Sequence, residues 1–389
     1  MLISPIFFGL SNVFSGILNS YKRFIAYALA PVVYNVAIIS GAVFFAKYFG
    51  IYGLAYGVIL GSFLHFAIQL PSVIKTGYHY RVVLDIFSSG VVRTVKLMIP
   101  TTIALAISQI NLIVYNIIGS VLRSGSIAII NLANNIQTVP TVIFGISLAT
   151  TVFPNLAEKA SLNKTKEFVD EFSWSVRQIL FLIIPSTAGI ILLRAQIIRI
   201  VLGASKFTWA DTQLASMVLG FFTLSLVAQS IIPILVRSFY ALKDTKTPLL
   251  VAFLTAVVNV LAAIFLAKFF GFENGAAGLA LAFSITSFLQ FGILWLFLYR
   301  KLGFLNTGEI LKSVLKVTLA SFAMAVVIYG SLHVVSYLVN MEKFIGIFIQ
   351  AFSAILIGVV FYLFFAICLK CPEASVVRRI FTKRKAPSS

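Results

Sequence analysis

Charge is scarce in this sequence of 389 residues: 11% of positions are Asp, Glu, Lys or Arg, and only 11 residues are acidic. A soluble domain carries about 25% charged residues, so an ordinary soluble fold is excluded. Histidine is scarcer still, with His65, His79 and His333 far apart in sequence. The acidic residues fall almost entirely in connecting segments, so acid–base catalysis has no cluster to be built from. No glycine-rich phosphate loop opens a helix, which argues against ATP coupling within the chain. The expectation is a protein that is not an enzyme and has no cofactor or metal. The two cysteines, Cys368 and Cys371, form a single C-x-x-C with no second pair to complete a zinc site, and free thiols are expected.

What is abundant is apolar sequence: 60% of residues are hydrophobic and the mean hydropathy is +1.04. Crossing a hydrocarbon core of about 30 Å takes roughly 20 apolar residues. Eleven segments meet this need, at about 1–20, 27–47, 52–74, 97–119, 126–153, 176–198, 211–236, 249–270, 275–299, 311–338 and 344–370. The fold class is an all-α polytopic membrane protein. The run 126–153 is long enough to be tilted or kinked at Pro140. Pro100, Gly145, Pro185 and Pro233 are further breakers inside spans, either hinges or ordinary kinks.

A net charge of +19 would suggest nucleic acid in a soluble protein; here the positive-inside rule accounts for it, and no nucleic-acid partner is expected. The odd-numbered connections and the C-terminal tail hold 23 of the 30 basic residues, leaving Lys47, Arg123, Arg194, Arg199, Lys206, Lys268 and Lys343 on the other side. The tail is therefore expected in the cytoplasm and Met1 outside. A chain that opens within apolar sequence on the far side reads as one that has lost its beginning. The connection Lys75–Lys96, with His79, Arg81 and Asp85, suits the anionic lipids of an inner leaflet. In 158–175, Phe168, Phe172 and Trp174 are spaced for an amphipathic helix lying at the interface, there to brace its neighbours.

An internal repeat emerges from two short matches. Ala46-Lys-Tyr-Phe-Gly50 precedes Ser62-Phe-Leu-His-Phe66, and Ala267-Lys-Phe-Phe-Gly271 precedes Ser287-Phe-Leu-Gln-Phe291. Asn35 and Asn259 fall midway along the preceding helices. Many transporters are built from such repeats.

Polar side chains in hydrocarbon are costly and face a bundle interior or cavity. The fourth segment carries Ser108, Asn111 and Tyr115 at helical spacing, with Gln109 and Asn116 beside them. The fifth carries Asn131, Asn135 and Thr138, with Asn134 and Gln137 next to them. These stripes either line one aqueous cavity or act as interhelical hydrogen-bonding glue. Arg237 is the one clear intramembrane cation, meeting a lipid phosphate or snorkelling to the interface.

The turn Arg237-Ser-Phe-Tyr-Ala-Leu-Lys-Asp-Thr-Lys-Thr-Pro248 ends one apolar segment and begins the next, with Thr247 suited to the N-cap and Pro248 to the first helical position. Its F-Y-A-x-x-D-T-x-T-P string is more specific than a loop requires. With Ile143-Phe-Gly-Ile-Ser-Leu-Ala-Thr-Thr-Val-Phe-Pro154 and Gly203-Ala-Ser-Lys-Phe-Thr208, it resembles the MurJ/MviN family of lipid II flippases. The resemblance covers essentially the whole chain but part of the family's length. It implies two six-helix lobes and two extra helices, fourteen in all, matched here from the fourth onward. The implied domains are a partial N-terminal lobe (1–74), a C-terminal lobe (75–300), two extra helices (301–370) and a basic cytoplasmic tail (371–389).

The resemblance also implies a multi-pass protein of the bacterial cytoplasmic membrane that moves a lipid-linked cell-wall precursor by alternating access. Anionic lipids and other cell-wall synthesis proteins are the further partners. The candidate substrate cavity is Asn111, Asn131, Asn134, Asn135, Gln137 and Arg237. The candidate gate or turn is Asp244, Thr245, Thr247 and Pro248, with Asp244 pairing with Lys243, Lys246 or Arg237, or capping the turn. The last two segments are implied as a lipid-tail groove. The chain departs from the family where an A-D-R-L-like stretch reads Ala133-Asn-Asn-Ile136: amides bind sugar hydroxyls but do not neutralise a pyrophosphate. The alternatives are a related polysaccharide-lipid or drug exporter, and a non-transporting membrane scaffold for cell-wall synthesis.

Overall fold

The computed structural model describes residues 2–21, 23–77, 85, 87–202, 209–341 and 343–374, and among them the only regular structure is helical. That is what lipid demands of a spanning chain without barrel strands, since a helix satisfies its own backbone groups. The helices are α1 (Ser4–Ser20), α2 (Ile25–Phe49), α3 (Ile51–Ile74), α4 (Ser89–Ser120), α5 (Ser126–Ser161), α6 (Thr165–Leu202) and α7 (Trp209–Ala241). A run Lys246–Leu302 is divided at Gly271 into α8 (246–270) and α9 (272–302), and α10 (Thr307–Leu338) and α11 (Phe344–Cys368) follow. All eleven expected segments are helical. Eight of the helical runs, the α8–α9 run counted once, are long and apolar enough to cross a membrane by length and composition alone.

The chain forms two compact units, Met1–Thr94 and Val95–Ser389. In the first, α2 and α3 form a hairpin about Gly50, whose φ of 55° favours glycine. The two helices then touch through backbone: a Cβ on Gly57 would stand 2.8 Å from Gly41 Cα. Gly57→Ala should therefore destabilise this unit by about 1–3 kcal/mol, because backbone cannot move aside as a side chain can. Unfolding of the purified protein in detergent measures it, and an unchanged midpoint would contradict the close crossing.

In the second unit, α8 and α9 form the same kind of hairpin about Gly271, with φ at 75°. Asn259 Nδ2 donates to Thr286 Oγ1 across it at 2.7 Å. Each copy of the A-K-x-F-G motif thus ends on a positive-φ glycine that folds one helix back on the next. The core is built from α5, α6, α7 and α9, with Phe168, Phe172, Leu156, Ile234 and Phe239 almost fully buried. Beyond α11, Arg177 Nε donates to Glu373 Oε1 at 2.6 Å and Ser313 Oγ donates to the same oxygen at 2.9 Å, which ties residue 373 to α6 and α10.

Two expectations are corrected. Residues 158–175 do not form a helix of their own: α5 ends at Ser161 and α6 starts at Thr165, running unbroken to Leu202. Phe168 and Phe172 face protein, and the Lys159–Glu171 pair at 2.8 Å joins the two helices, so the segment braces them. The connection after α3 is shorter than 75–96, because α4 already begins at Ser89 and takes Arg93 and Lys96 into helix. His79, Arg81, the stretch 203–208 and the tail beyond 374 lie outside the described residues.

Candidate functional site

Pro140 shapes the site. A proline inside a helix leaves a carbonyl unpaired and disturbs the turn around it. Directly after it, Thr141–Ile146 is π-helical before α-helix resumes at Ser147, and such wide turns recur at functional sites. Around this turn α5 presents two faces, and they line two different cavities.

The first cavity has a volume of about 390 Å³ and lies among α4, α5, α7 and α9. It is lined by Asn111, Asn131, Asn134, Gln137 and Thr141, with Gln229 from α7. Gln137 Nε2 donates to Asn134 Oδ1 at 3.1 Å, and Thr138 Oγ1 donates to the carbonyl of Asn134 at 2.7 Å. Asn111 Oδ1, Gln137 Oε1 and Thr141 Oγ1 are buried without a protein hydrogen bond. Buried polar atoms are normally satisfied, so three orphans around one cavity point to a polar guest. A smaller compartment of about 110 Å³ shares Asn111 and Gln229 with the first and adds Asn259, Thr286, Ser287 and Gln290. No charged side chain lines either compartment among the described residues.

The second cavity, of about 440 Å³, lies among α5, α6, α10 and α11. Pro140, Phe144, Phe181, Ile190, Met324 and Val359 are among its lining, which is almost wholly apolar. Gln137 and Thr141 line the polar cavity while Pro140 and Phe144 line this one. A single turn of α5 therefore separates a hydrogen-bonding chamber from an oily one.

The sequence-derived site residues divide. Asn111, Asn131, Asn134 and Gln137 share the polar cavity, whereas Asn135 is exposed and lies outside its lining. Arg237 does not line it either; its Nη1 donates to the carbonyl of Ile146 at 3.1 Å, at the end of the π-turn. Gln229 was missed. It is a single amide in the apolar run Leu226–Pro233, and the reasoning applied to α4 and α5 would have singled it out.

At the α7–α8 turn the helix begins at Lys246, so Pro248 is its third residue rather than its first. The cap is not Thr247. Asp244 takes that part, its Oδ1 accepting from the Thr247 N–H at 3.1 Å and its Oδ2 from the Thr247 hydroxyl at 2.9 Å. Its ionic partner is none of the nearby cations but Lys301, whose Nζ stands 2.7 Å from Oδ2 at the end of α9. Thr245 is exposed, and no hydrogen bond of its side chain is described. Partial burial disfavours the Asp244 charge, but the Lys301 ammonium and the two Thr247 donors outweigh it and hold the carboxyl at about 2. A folded-state pKa below the unfolded value stabilises the fold above the unfolded value, and that contribution fades as pH falls from about 4 through about 2. Asp244→Asn should thus cost about 1–2 kcal/mol at neutral pH and flatten the pH dependence of unfolding between pH 4 and 2.

Comparison with known proteins agrees with this architecture. The family model described as "Lipid II flippase MurJ" matches residues 1–349. The probable lipid II flippase MurJ of Buchnera aphidicola from Acyrthosiphon pisum is 32% identical over 364 residues, which is 91% of this chain and 69% of that protein. The lipid II flippase MurJ of Burkholderia cenocepacia is 30% identical over 302 residues, 76% of this chain and 58% of its own. The probable flippase of Vibrio cholerae is 31% identical over 281 residues, 72% of this chain and 53% of its own. The chain thus spans between about half and about two thirds of the length of these relatives. A solved lipid II flippase MurJ in an inward closed conformation superposes with a TM-score of 0.75 at 30% identity, covering 94% of this chain and 72% of that one. With the family model matched across most of its length, this multi-pass membrane chain belongs to the MurJ lipid II flippase family.

Proposed function

We propose that the chain takes part in moving a lipid-linked peptidoglycan precursor of the lipid II type across the bacterial cytoplasmic membrane by alternating access. The observation that carries this reading is the stretch of α5 around Pro140 and the π-turn, with neutral amides on one face and an oily cavity on the other. A substrate with a sugar–peptide head and a polyisoprenoid tail needs both chambers, joined by a short partition. The relatives do not favour the related-exporter alternative, and a scaffold has no use for orphaned amide oxygens around a cavity.

In this scheme Asn111, Asn131, Asn134, Gln137 and Gln229 hold sugar and peptide groups through donors and acceptors that need no charge. The apolar cavity between α6 and the α10–α11 pair holds part of the tail. No cation lines the polar cavity among the described residues, so the amides of α4 and α5 select the head but do not neutralise its pyrophosphate. Asp244, clamped by Lys301, keeps the α7–α8 turn against the end of α9 and makes it a rigid gate edge. The excess of basic residues in the tail and the odd-numbered connections supports a cytoplasmic side for the tail and this turn, where anionic lipids would be the natural contact; other cell-wall synthesis proteins would dock on the same face. The test is translocation of a labelled precursor by a variant with Asn134→Leu and Gln137→Leu together.

A further inference from the structure

The sparsely charged end of the second unit, opposite the C-terminal end of α11, holds a further cavity lined by residues other than those above. It has a volume of about 460 Å³ and lies between the last turns of α6, the last turns of α10 and the first turns of α11. Its polar lining is Arg194, Gln196, Tyr329, His333, Ser336 and Gln350. Among the described residues no carboxylate lines it.

Arg194 is the anomaly. It sits eight residues before the end of α6, about 12 Å along the helix, on a face whose loops are poor in cations, so the positive-inside rule does not explain it. Among the described residues it makes neither a hydrogen bond nor an ion pair, and it is exposed; a cation within a spanning helix is expected to find an anionic or polar partner. Its guanidinium passes over Gly220 of α7, where a Cβ would stand 2.9 Å from Nη1. Arg199, one turn further out, is instead satisfied by the carbonyl of Met341 at 2.9 Å.

The rest of the lining is arranged for a polar guest. Gln350, only 3% exposed, donates to the carbonyl of Leu332 at 2.8 Å and accepts from Gln196 at 3.3 Å. Gln196 Oε1 is left buried without a partner. His333 Nδ1 is engaged by the Tyr329 carbonyl at 3.0 Å, which fixes the ring at the rim. Tyr329, in the lining, is 58% exposed, as aromatic residues are at the headgroup level of a bilayer.

We propose that this cavity binds the phosphate-bearing headgroup of a lipid in the leaflet opposite the C-terminal end of α11, with Arg194 as the anion contact and Gln196 and Ser336 meeting the neighbouring hydroxyls. A guanidinium suits a phosphate diester through paired N–H donors, and the volume leaves room for the glycerol beyond it. The inference rests on the chain's lying in a membrane and not on translocation.

The experiment is lipid retention by the purified chain in detergent, read by native mass spectrometry with phosphatidylglycerol, a polyisoprenyl diphosphate and phosphate-free diacylglycerol added in turn. The expected result is selective retention of one phosphate-bearing lipid, reduced roughly tenfold by Arg194→Gln and unchanged by Arg199→Gln. Preference for phosphatidylglycerol identifies a resident membrane lipid; preference for the diphosphate identifies carrier lipid. Should Arg194→Gln fail to fold, Ser336→Leu fills the cavity from another helix and is expected to give the same loss. Equal retention of diacylglycerol, or retention indifferent to both substitutions, overturns the proposal.

Discussion

A chain carrying Asn134→Leu and Gln137→Leu will fold as well as its parent and will lose most of its ability to move the precursor. Gln137 is 3% exposed, its Oε1 has no partner, and its Nε2 is satisfied by Asn134. Removing both partners of a buried hydrogen bond in favour of apolar groups of similar shape is close to neutral for stability. Removing one alone leaves the other unpaired, so each single variant should be less stable than the double. The polar groups of the head would lose their partners in the cavity, at about 2–4 kcal/mol in all, or roughly 30- to 1,000-fold in affinity. Translocation in vesicles and unfolding in detergent, measured on the same three variants, separate the two effects. Wild-type translocation by a stable double variant would remove the cavity from the mechanism.

The second large effect is expected at Gly145. This residue lies in the π-turn, and a Cβ there would stand 2.8 Å from both Cα and the carbonyl oxygen of Ser230 on α7. Neither atom can rotate away, so Gly145→Ala must push α5 and α7 apart at the partition between the two cavities, costing about 1–3 kcal/mol and slowing transport as well. Truncating the partner with Ser230→Ala will not rescue it, because the clash is with backbone. Gly220→Ala makes the informative contrast: its nearest neighbour is the flexible end of Arg194, so its cost to stability should be small. Equal costs for the two glycines would mean that the α5–α7 crossing is looser than described.

Much of the architecture was legible because lipid imposes simple rules. Eleven apolar runs became eleven helices, and the A-K-x-F-G matches marked two hairpins of the same design around Gly50 and Gly271. Pattern alone did not reveal what the apolar face of a helix touches. Phe168 and Phe172 have the spacing of a surface-lying helix, yet they face protein. Long-range partners were equally hidden: Lys301 is 57 positions from Asp244, while Lys243 and Lys246 are close in sequence and make no pair with it. The stripes on α4 and α5 gave the amide wall of the cavity. Its closure by Gln229, and the return of the smaller compartment to Asn259 and Thr286, depend on how α7, α8 and α9 fold against those stripes.

The division of labour across the π-turn is tested most directly by photo-crosslinking to a lipid-linked precursor that carries separate labels on head and tail. A photoreactive residue at Thr138 faces the polar cavity, and one at Gly189 faces the apolar cavity. Head-label capture at 138 with tail-label capture at 189 is the expected result. Tail capture at 138, or capture at neither position in a chain that still moves the precursor, would contradict the assignment of the two chambers.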